Sequence, residues 1–242
     1  MSTVLVTGAG GSIGCAIVGE ALRRGHRVVA QDVSPSALER LASEHVVLAP
    51  GDLSAAEGRA AVAAACGERL EAAVAAHGVP GQGAFEAFPL DRMRHVMRVN
   101  AATIPLLFGD LLPSLERAGG SFVAVASQAA LRGEPAGSIY AASKWAVRGW
   151  VEGIAPAMRA RGINVRTLCP GRTESRLLEQ AQRDSAAAEG VPYEAFVRDR
   201  LAEIPLGRFA KPEEMATAAL YLCDPDPGRP TVLAVTGGEV RY

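Results

Sequence analysis

Four cysteines are spread through the 242 residues, at Cys15, Cys66, Cys169 and Cys223, and none forms a CxxC pair. That spacing argues against a zinc ribbon or a redox dithiol and leaves four ordinary reduced thiols. Histidine is equally sparse: His26, His45, His77 and His95 stand far apart and suggest no metal cluster. No charge of one sign dominates, since 25 Lys and Arg meet 26 Asp and Glu for a net charge of −1. A basic field for nucleic acid or an anionic membrane is therefore missing, and so is an acidic tail. No apolar run reaches the roughly 18 to 20 residues that span a bilayer. The sequence reads straight into Thr3-Val4-Leu5-Val6 without a basic leader, which predicts a cytoplasmic protein.

What is present is a globular balance, with 49% hydrophobic and 21% charged residues, in a length that suits one α/β domain over residues 1–242. Short apolar runs at 3–7, 27–31, 46–49, 72–76, 121–126, 164–168 and 231–235 alternate with amphipathic or Ala-rich stretches. Those stretches, at about 13–24, 35–43, 55–66, 91–117, 138–160 and 212–223, predict helices. Parallel strands need helical crossovers of about this length. The predicted fold is α/β, a doubly wound Rossmann-type parallel sheet of about seven strands with helices on both faces. Residues 172–208 break the rhythm as a polar, irregular segment, which predicts a lid over a binding cleft. Gly78–Gly83 forms a second loop after the fourth strand, at the edge where open α/β sheets bind ligands.

The first strand runs into Thr7-Gly8-Ala9-Gly10-Gly11-Ser12-Ile13-Gly14 and then a helix. Glycines there let backbone N–H groups approach a pyrophosphate, and the helix N-terminus adds partial positive charge. Asp32 ends the second strand, where a carboxylate accepts the adenosine ribose hydroxyls and repels a 2′-phosphate. No Arg or Lys occupies the glycine turn or immediately follows Asp32, so the reading is NAD in preference to NADP. The plainer role for Asp32 is a turn or cap before Ser34-Pro35. Asp52, in Gly51-Asp52-Leu53, is placed either to meet the adenine amine or to cap the next helix.

Tyr140 and Lys144 are four apart in a helix-compatible stretch and so share a face. An ammonium near a phenol favours the phenolate, which makes Tyr140 an acid or base usable near neutral pH. Ser127 lies upstream at the end of the strand Phe122–Ala126, in reach of the same cleft.

Together these residues resemble the short-chain dehydrogenase/reductase family in its small, single-domain form. The likeness runs through Thr7–Gly14, Asp52-Leu53, Val99-Asn100, Val123–Ser127 and Tyr140–Lys144. It continues through Gly162–Val165, Pro170-Gly171, Pro205–Arg208, Pro212–Glu214 and Gly237-Gly238. The resemblance implies an NAD(H)-dependent oxidoreductase that interconverts a secondary alcohol and a ketone. It implies Tyr140 as the proton-transfer group, Ser127 as the residue that positions the substrate oxygen, and Asn100 as the anchor of a water relay. Lys144 would hold the nicotinamide ribose and depress the tyrosine pKa. Further cofactor contacts are implied at Gly8, Gly10, Gly11, Ser12, Ile13, Gly14, Leu53, His77, Gly78, Pro170, Gly171, Thr173 and Ser175. For the substrate, a small alcohol or carbonyl, the expected contacts are Gln128, Glu134 and Arg172, and Arg172 and Arg176 carry charge suited to a carboxylate or phosphopantetheine.

The family's pattern is not met everywhere. Its Asn-Asn-Ala-Gly after the fourth strand reads Ala75-Ala76-His77-Gly78, so the amide contacts that brace the strands are expected to be missing. Ser12 stands for the middle glycine, Ser175 for a threonine, and Thr236 for the aspartate before Gly237-Gly238. Pro156 is expected to kink the helix after Lys144, the helix through which a homo-oligomer, tetramer or dimer, would pair. Two other readings compete: a nucleotide-sugar epimerase or dehydratase, and an NAD-sensing or scaffold protein without turnover. Only about 70 residues follow Pro170-Gly171, too few for the sugar-binding domain of the former, and Ser127, Tyr140 and Lys144 are all present against the latter.

Overall fold

Apolar residues that alternate along short runs turn to opposite faces of a sheet, and here both faces are covered. The computed structural model describes residues 2–83, 85–133 and 137–240. The first half runs β1 (Thr3–Thr7), α1 (Ser12–Arg23), β2 (Arg27–Asp32), α2 (Pro35–Glu39), β3 (Val46–Pro50), α3 (Ala56–Cys66) and β4 (Ala72–Ala75). There follow α4 (Leu90–Met97), α5 (Thr103–Ala118), β5 (Ser121–Val125), α6 (Ser138–Ala160) and β6 (Asn164–Pro170). Last come α7 (Arg176–Glu189), α8 (Tyr193–Ala202), α9 (Pro212–Cys223) and β7 (Val232–Val235). The seven strands are parallel, in the order β3-β2-β1-β4-β5-β6-β7, as the alternation predicts.

Val4, Val6, Val28, Ala30, Val74 and Val123 turn to one face, against Ile17 and Val18 of α1 and Leu220 and Leu222 of α9. Their neighbours Leu5, Val29, Ala73 and Phe122 turn to the other, against Val62 of α3, Leu107 and Leu111 of α5 and Val151 of α6. Phe122 and Trp150 both meet Phe108 edge to face, with ring centroids 5.2 and 5.4 Å apart, which ties β5, α5 and α6 together. Each large apolar side chain buried this way contributes about 1.5–3 kcal/mol, so the scaffold is fixed by its layers. Among the described residues no helix is long and apolar enough to cross a membrane.

Two expectations change. Residues 91–117 are not one helix: between α4 and α5 lies a π-helical turn, Arg98–Ala102, that holds Asn100. Such a turn inserts one extra residue and redirects a side chain. The segment 172–208 is not irregular, for it contains α7 and α8. Ser175 caps α7 by accepting from the Leu178 N–H at 3.0 Å, Arg183 pairs with Glu179 one turn back, and Gly190 at φ 69° ends the helix. Its polarity is that of an exposed helix face. Helix α6 spans Ser138–Ala160 with Pro156 inside it, as the sequence predicts.

A charge lies inside the sheet layer. Arg166 on β6 is 1% exposed. Its guanidinium donates to the carbonyls of Leu222, Asp224 and Asp226 at 2.6–2.7 Å and to Asn164 Oδ1 at 3.1 Å. Burial opposes its charge and lowers its pKa. The free carbonyls at the C-terminal end of α9 supply the compensating partial negative charge. Arg166 thereby anchors α9 and the loop after it to the sheet. Arg166→Met should strand three carbonyls and lower the unfolding free energy by about 3 kcal/mol, read as a drop in urea midpoint at constant slope. A loss below about 0.5 kcal/mol would mean that water takes over these bonds.

Candidate active site

Strand order reverses direction between β1 and β4, and in open α/β sheets a crevice opens at that point beyond the strand ends. A cavity of about 890 Å³ lies there. On its near wall Gly8 has φ 62°, and a Cβ on it would stand 2.7 Å from the Cα of His77. A Cβ on Gly14 would stand 2.1 Å from the Gly8 carbonyl oxygen. Both positions accept only glycine, which brings the N-terminus of α1 up to the crevice. Gly11 caps that helix with no side-chain acceptor, so its first N–H groups remain available to an anion. Gly8, Gly11, Ser12, Ile13 and Gly14 line the cavity, whereas Gly10 does not. A Cβ on Gly10 would meet Ala37 of α2 at 2.6 Å.

Asp32 lines the cavity and also does the turn residue's work, accepting from the N–H groups of Gly10 and Ser34, each at 3.0 Å. Sequence reading missed a neighbour here. Arg40, just past α2, donates to the carbonyl of Gly10 and brings a cation to the glycine turn beside Asp32. Its distance in sequence from Asp32 hid it, and only the packing of α2 on Gly10 reveals it. Asp52 also lines the cavity, and both its oxygens accept from Ser54, from N–H and hydroxyl at 2.8 Å each. The Ser54 bonds hold its carboxyl below the usual range. Leu53 beside it is buried in the same wall.

Ser127, Tyr140 and Lys144 line the opposite wall. Ser127 follows β5 and its Oγ accepts from the Ala129 N–H at 3.1 Å. Lys144 sits one turn beyond Tyr140 on α6, with Nζ 5.7 Å from the tyrosine ring centroid and 3.0 Å from the Val125 carbonyl to which it donates. Burial pushes Lys144 down to about 8. Gly78 leaves room beside it, since a Cβ there would lie 3.5 Å from Nζ. Asn100 stands behind the wall, fully buried. It accepts from the Val79 N–H at 2.8 Å and donates to the Val79 carbonyl at 3.0 Å and Ser143 Oγ at 3.2 Å. It therefore braces the π turn against the second loop and α6.

The ring of His77 braces the strands in place of the family's amides. Its imidazole lies 2.6 Å from Thr7 Oγ1 and 2.7 Å from Thr103 Oγ1, and so links β1, the end of β4 and α5. The Thr103 hydroxyl gives its proton to the Val99 carbonyl, so it accepts from His77 Nε2–H and leaves Nδ1 to accept from Thr7. Burial, then the Lys144 ammonium, push His77 down to about 3 and keep it neutral.

At the far end Pro170, Gly171, Thr173 and Ser175 lie along the cavity below α7. Gln128 and Arg172 line it too, Arg176 is exposed outside it, and Glu134 lies outside the described residues. Two further residues there escaped sequence reading. Glu239, its side chain 1% exposed, accepts from Gln128 Nε2 at 3.0 Å and Arg172 Nη1 at 2.6 Å. Gln182 of α7 is buried in the cavity wall.

A parallel sheet with a glycine-rich first turn at its switch point, facing a tyrosine and a lysine one helical turn apart, describes a nucleotide-binding oxidoreductase. The comparisons name the family. Residues 2–186 match the model of the short chain dehydrogenases, and the chain belongs to that oxidoreductase family. It is 32% identical to 2-(S)-hydroxypropyl-CoM dehydrogenase 3 of Xanthobacter autotrophicus over 230 residues, 90% of this chain and 88% of that one. A relative from the same organism, named inactive 2-(S)-hydroxypropyl-CoM dehydrogenase 2, is also 32% identical, over 90% of this chain and 96% of its own. The crystal structure of a variant of actinorhodin polyketide ketoreductase with NADPH superposes with TM-score 0.93 and 26% identity, over 100% of this chain and 98% of that one. The family binds a nicotinamide cofactor.

Lys144 carries a cost that can be measured. Its folded pKa of about 8 lies below the 10.5 of a free lysine, so the unfolded chain binds the extra proton between these values. The full penalty, about 3 kcal/mol at most, holds below pH 8 and fades as pH rises toward 10.5. Lys144→Met should therefore raise the unfolding free energy at pH 7, with the gain shrinking above pH 8 in denaturant titrations. A variant less stable than wild type at pH 7 would show that the Val125 bond outweighs the burial.

Proposed function

We propose that the chain is one NAD(H)-dependent domain that interconverts a secondary alcohol and a ketone, with Tyr140 as proton donor and acceptor. The observation that carries this is the convergence of Tyr140, Lys144 and Ser127 on the cavity that the glycine turn borders. The residues fit a nicotinamide dinucleotide: Gly8 and Gly14 admit no side chain, the N–H groups opening α1 lack a side-chain cap, and Gly78 puts no side chain against Lys144 on the cavity side. The pyrophosphate would be held at Gly11–Ile13, and the adenosine ribose at Asp32. The adenine would lie beside Asp52 and Leu53, the nicotinamide ribose at Tyr140 and Lys144, and the carboxamide near Pro170, Thr173 and Ser175.

When bound, that cofactor supplies or takes the hydride. In reduction Tyr140 gives its phenolic proton to the substrate oxygen while Ser127 Oγ holds that oxygen by a hydrogen bond. The Lys144 ammonium favours the phenolate that remains, and Asn100 fixes the backbone at Val79 behind it. Helices α7 and α8 act as the lid that excludes water. Exposed Leu106 on α5 and Trp145 on α6 support pairing of copies into a homo-oligomer, and four free cysteines suit a reducing cytoplasm.

The relative named inactive keeps a second reading alive, cofactor binding without turnover. Tyr140→Phe separates the two. It should lower kcat by about 100-fold or more while NADH binds with unchanged affinity in a fluorescence titration. Unaltered turnover with a cognate ketone would remove Tyr140 from its role.

Cofactor choice rests on Asp32, whose carboxylate opposes a 2′-phosphate, and the neighbouring structure with NADPH makes the test worthwhile. The wild type should show higher kcat/KM with NADH than with NADPH, and Asp32→Ala should lower the ratio about tenfold or more. A wild type that prefers NADPH, or a ratio that does not move, would leave Asp32 as a turn residue, with Arg40 as the cation to remove next.

A further inference from the structure

At the substrate end the chain spends one of its most buried carboxylates on orienting an arginine. Glu239 follows the Gly237-Gly238 turn after β7, and its side chain is 1% exposed. One oxygen, Oε1, accepts from Arg172 Nη1 at 2.6 Å, from Gln128 Nε2 at 3.0 Å and from Arg132. Gln128 is the residue after Ser127, so this carboxylate joins the catalytic-side wall to Arg172 at the start of the segment that carries α7 and α8. Gly171 permits the arrangement, since a Cβ on it would stand 2.7 Å from the Cα of Thr236.

Among the described residues, all of the hydrogen bonds that the Arg172 side chain makes leave through the same nitrogen. Nη1 serves Glu239, Glu203 Oε2 at 3.1 Å and the carbonyl of Arg200 at 3.4 Å. Nη2 and Nε have no hydrogen-bond partner among the described residues, yet the side chain is only 12% exposed and lines the cavity. A guanidinium presents its N–H groups as a planar fork suited to two oxygens of a carboxylate or phosphate. Held through one nitrogen by a buried acid, it keeps that fork oriented at little cost in side-chain freedom. Gln182 of α7 adds a second observation: its Nε2 is buried without a partner among the described residues, and the residue lines the same cavity. The neighbouring charges are Arg132 and Arg200 on one side and Glu203, Glu189 and Glu239 on the other. Total charge therefore does not select an anion here. Directed N–H donors do.

We propose that Arg172, braced by Glu239 and joined by Gln182 of the lid, anchors an oxyanion of the substrate, a carboxylate or a phosphate group, while the carbonyl or alcohol meets Ser127 and Tyr140. The inference rests on the oxidoreductase reading above and adds the class of substrate to it. The competing role for Arg172 is a latch between the lid and the C-terminal segment that touches no ligand.

The experiment uses a graded series of straight-chain keto acids, each paired with its neutral methyl ester, and a parallel series of keto phosphates paired with their neutral dimethyl esters. Binding to the full chain with NAD+ present is measured by calorimetry, and turnover is measured with NADH. In the wild type at least one anion should exceed its ester about tenfold or more in affinity. The series that responds tells carboxylate from phosphate. Arg172→Gln should bring the anion down to the level of its ester through KM, with NADH affinity retained, and Arg172→Lys should restore part of the preference. The inference is overturned if anions and esters bind alike or not at all. It is also overturned if Arg172→Gln weakens both members of a pair equally, the mark of a latch. Absence of Tyr140-dependent turnover alongside selective anion binding would defeat the oxidoreductase reading and leave the oxyanion site standing.

Discussion

Backbone meets backbone where Gly8 lies against His77, and the layout of the site follows from that contact. A side chain on Gly8 would push the end of β4 away from β1, and with it the wall that holds Gly78, Val79 and Asn100. The same approach brings Thr7 within hydrogen-bond distance of the His77 ring, whose other nitrogen reaches Thr103. An imidazole is long enough to span three elements, and burial keeps it neutral, so no charge is added beside Lys144. The crevice at the strand reversal is thus a consequence of close packing, with the glycine turn on one side and α6 on the other.

Buried charges divide by purpose. Arg166 meets three backbone carbonyls and an amide oxygen, and its burial serves the fold. Lys144 has a single carbonyl partner at 3.0 Å, and burial leaves its ammonium destabilised. A lysine kept this way costs stability, in contrast to Arg166. Glu239 lies between the two cases. It is compensated by arginines, and it determines which way one of them faces the cavity.

The sheet, its strand positions to within a residue or two and the family were legible because short apolar runs between helical stretches and glycine-rich turns are local signals. Tyr140, Lys144 and Ser127 were legible for the same reason, since a helical turn and a strand end suffice to place them on one cavity. The irregularity expected of residues 172–208 was the error. Exposed helices such as α7 carry little hydrophobic pattern, and the signals that mark them are a Ser175 cap, a Glu179–Arg183 pair and a terminal Gly190. The π turn at Asn100 leaves no trace in composition, because one inserted residue does not disturb an amphipathic stretch enough to be read.

By itself the sequence determined which segments run apolar, where the turns must be glycine, and which side chains share a helix face, because each depends on neighbours within a turn or a strand. Tertiary structure alone decided the rest. It laid Arg40 over Gly10, gave His77 two hydroxyl partners, set Arg166 on the end of α9, and turned Glu239 onto Gln128 and Arg172. These pairings join residues far apart in the chain. No local preference encodes them; they arise when packed layers bring distant polar groups into the same water-poor space, where each must find a partner.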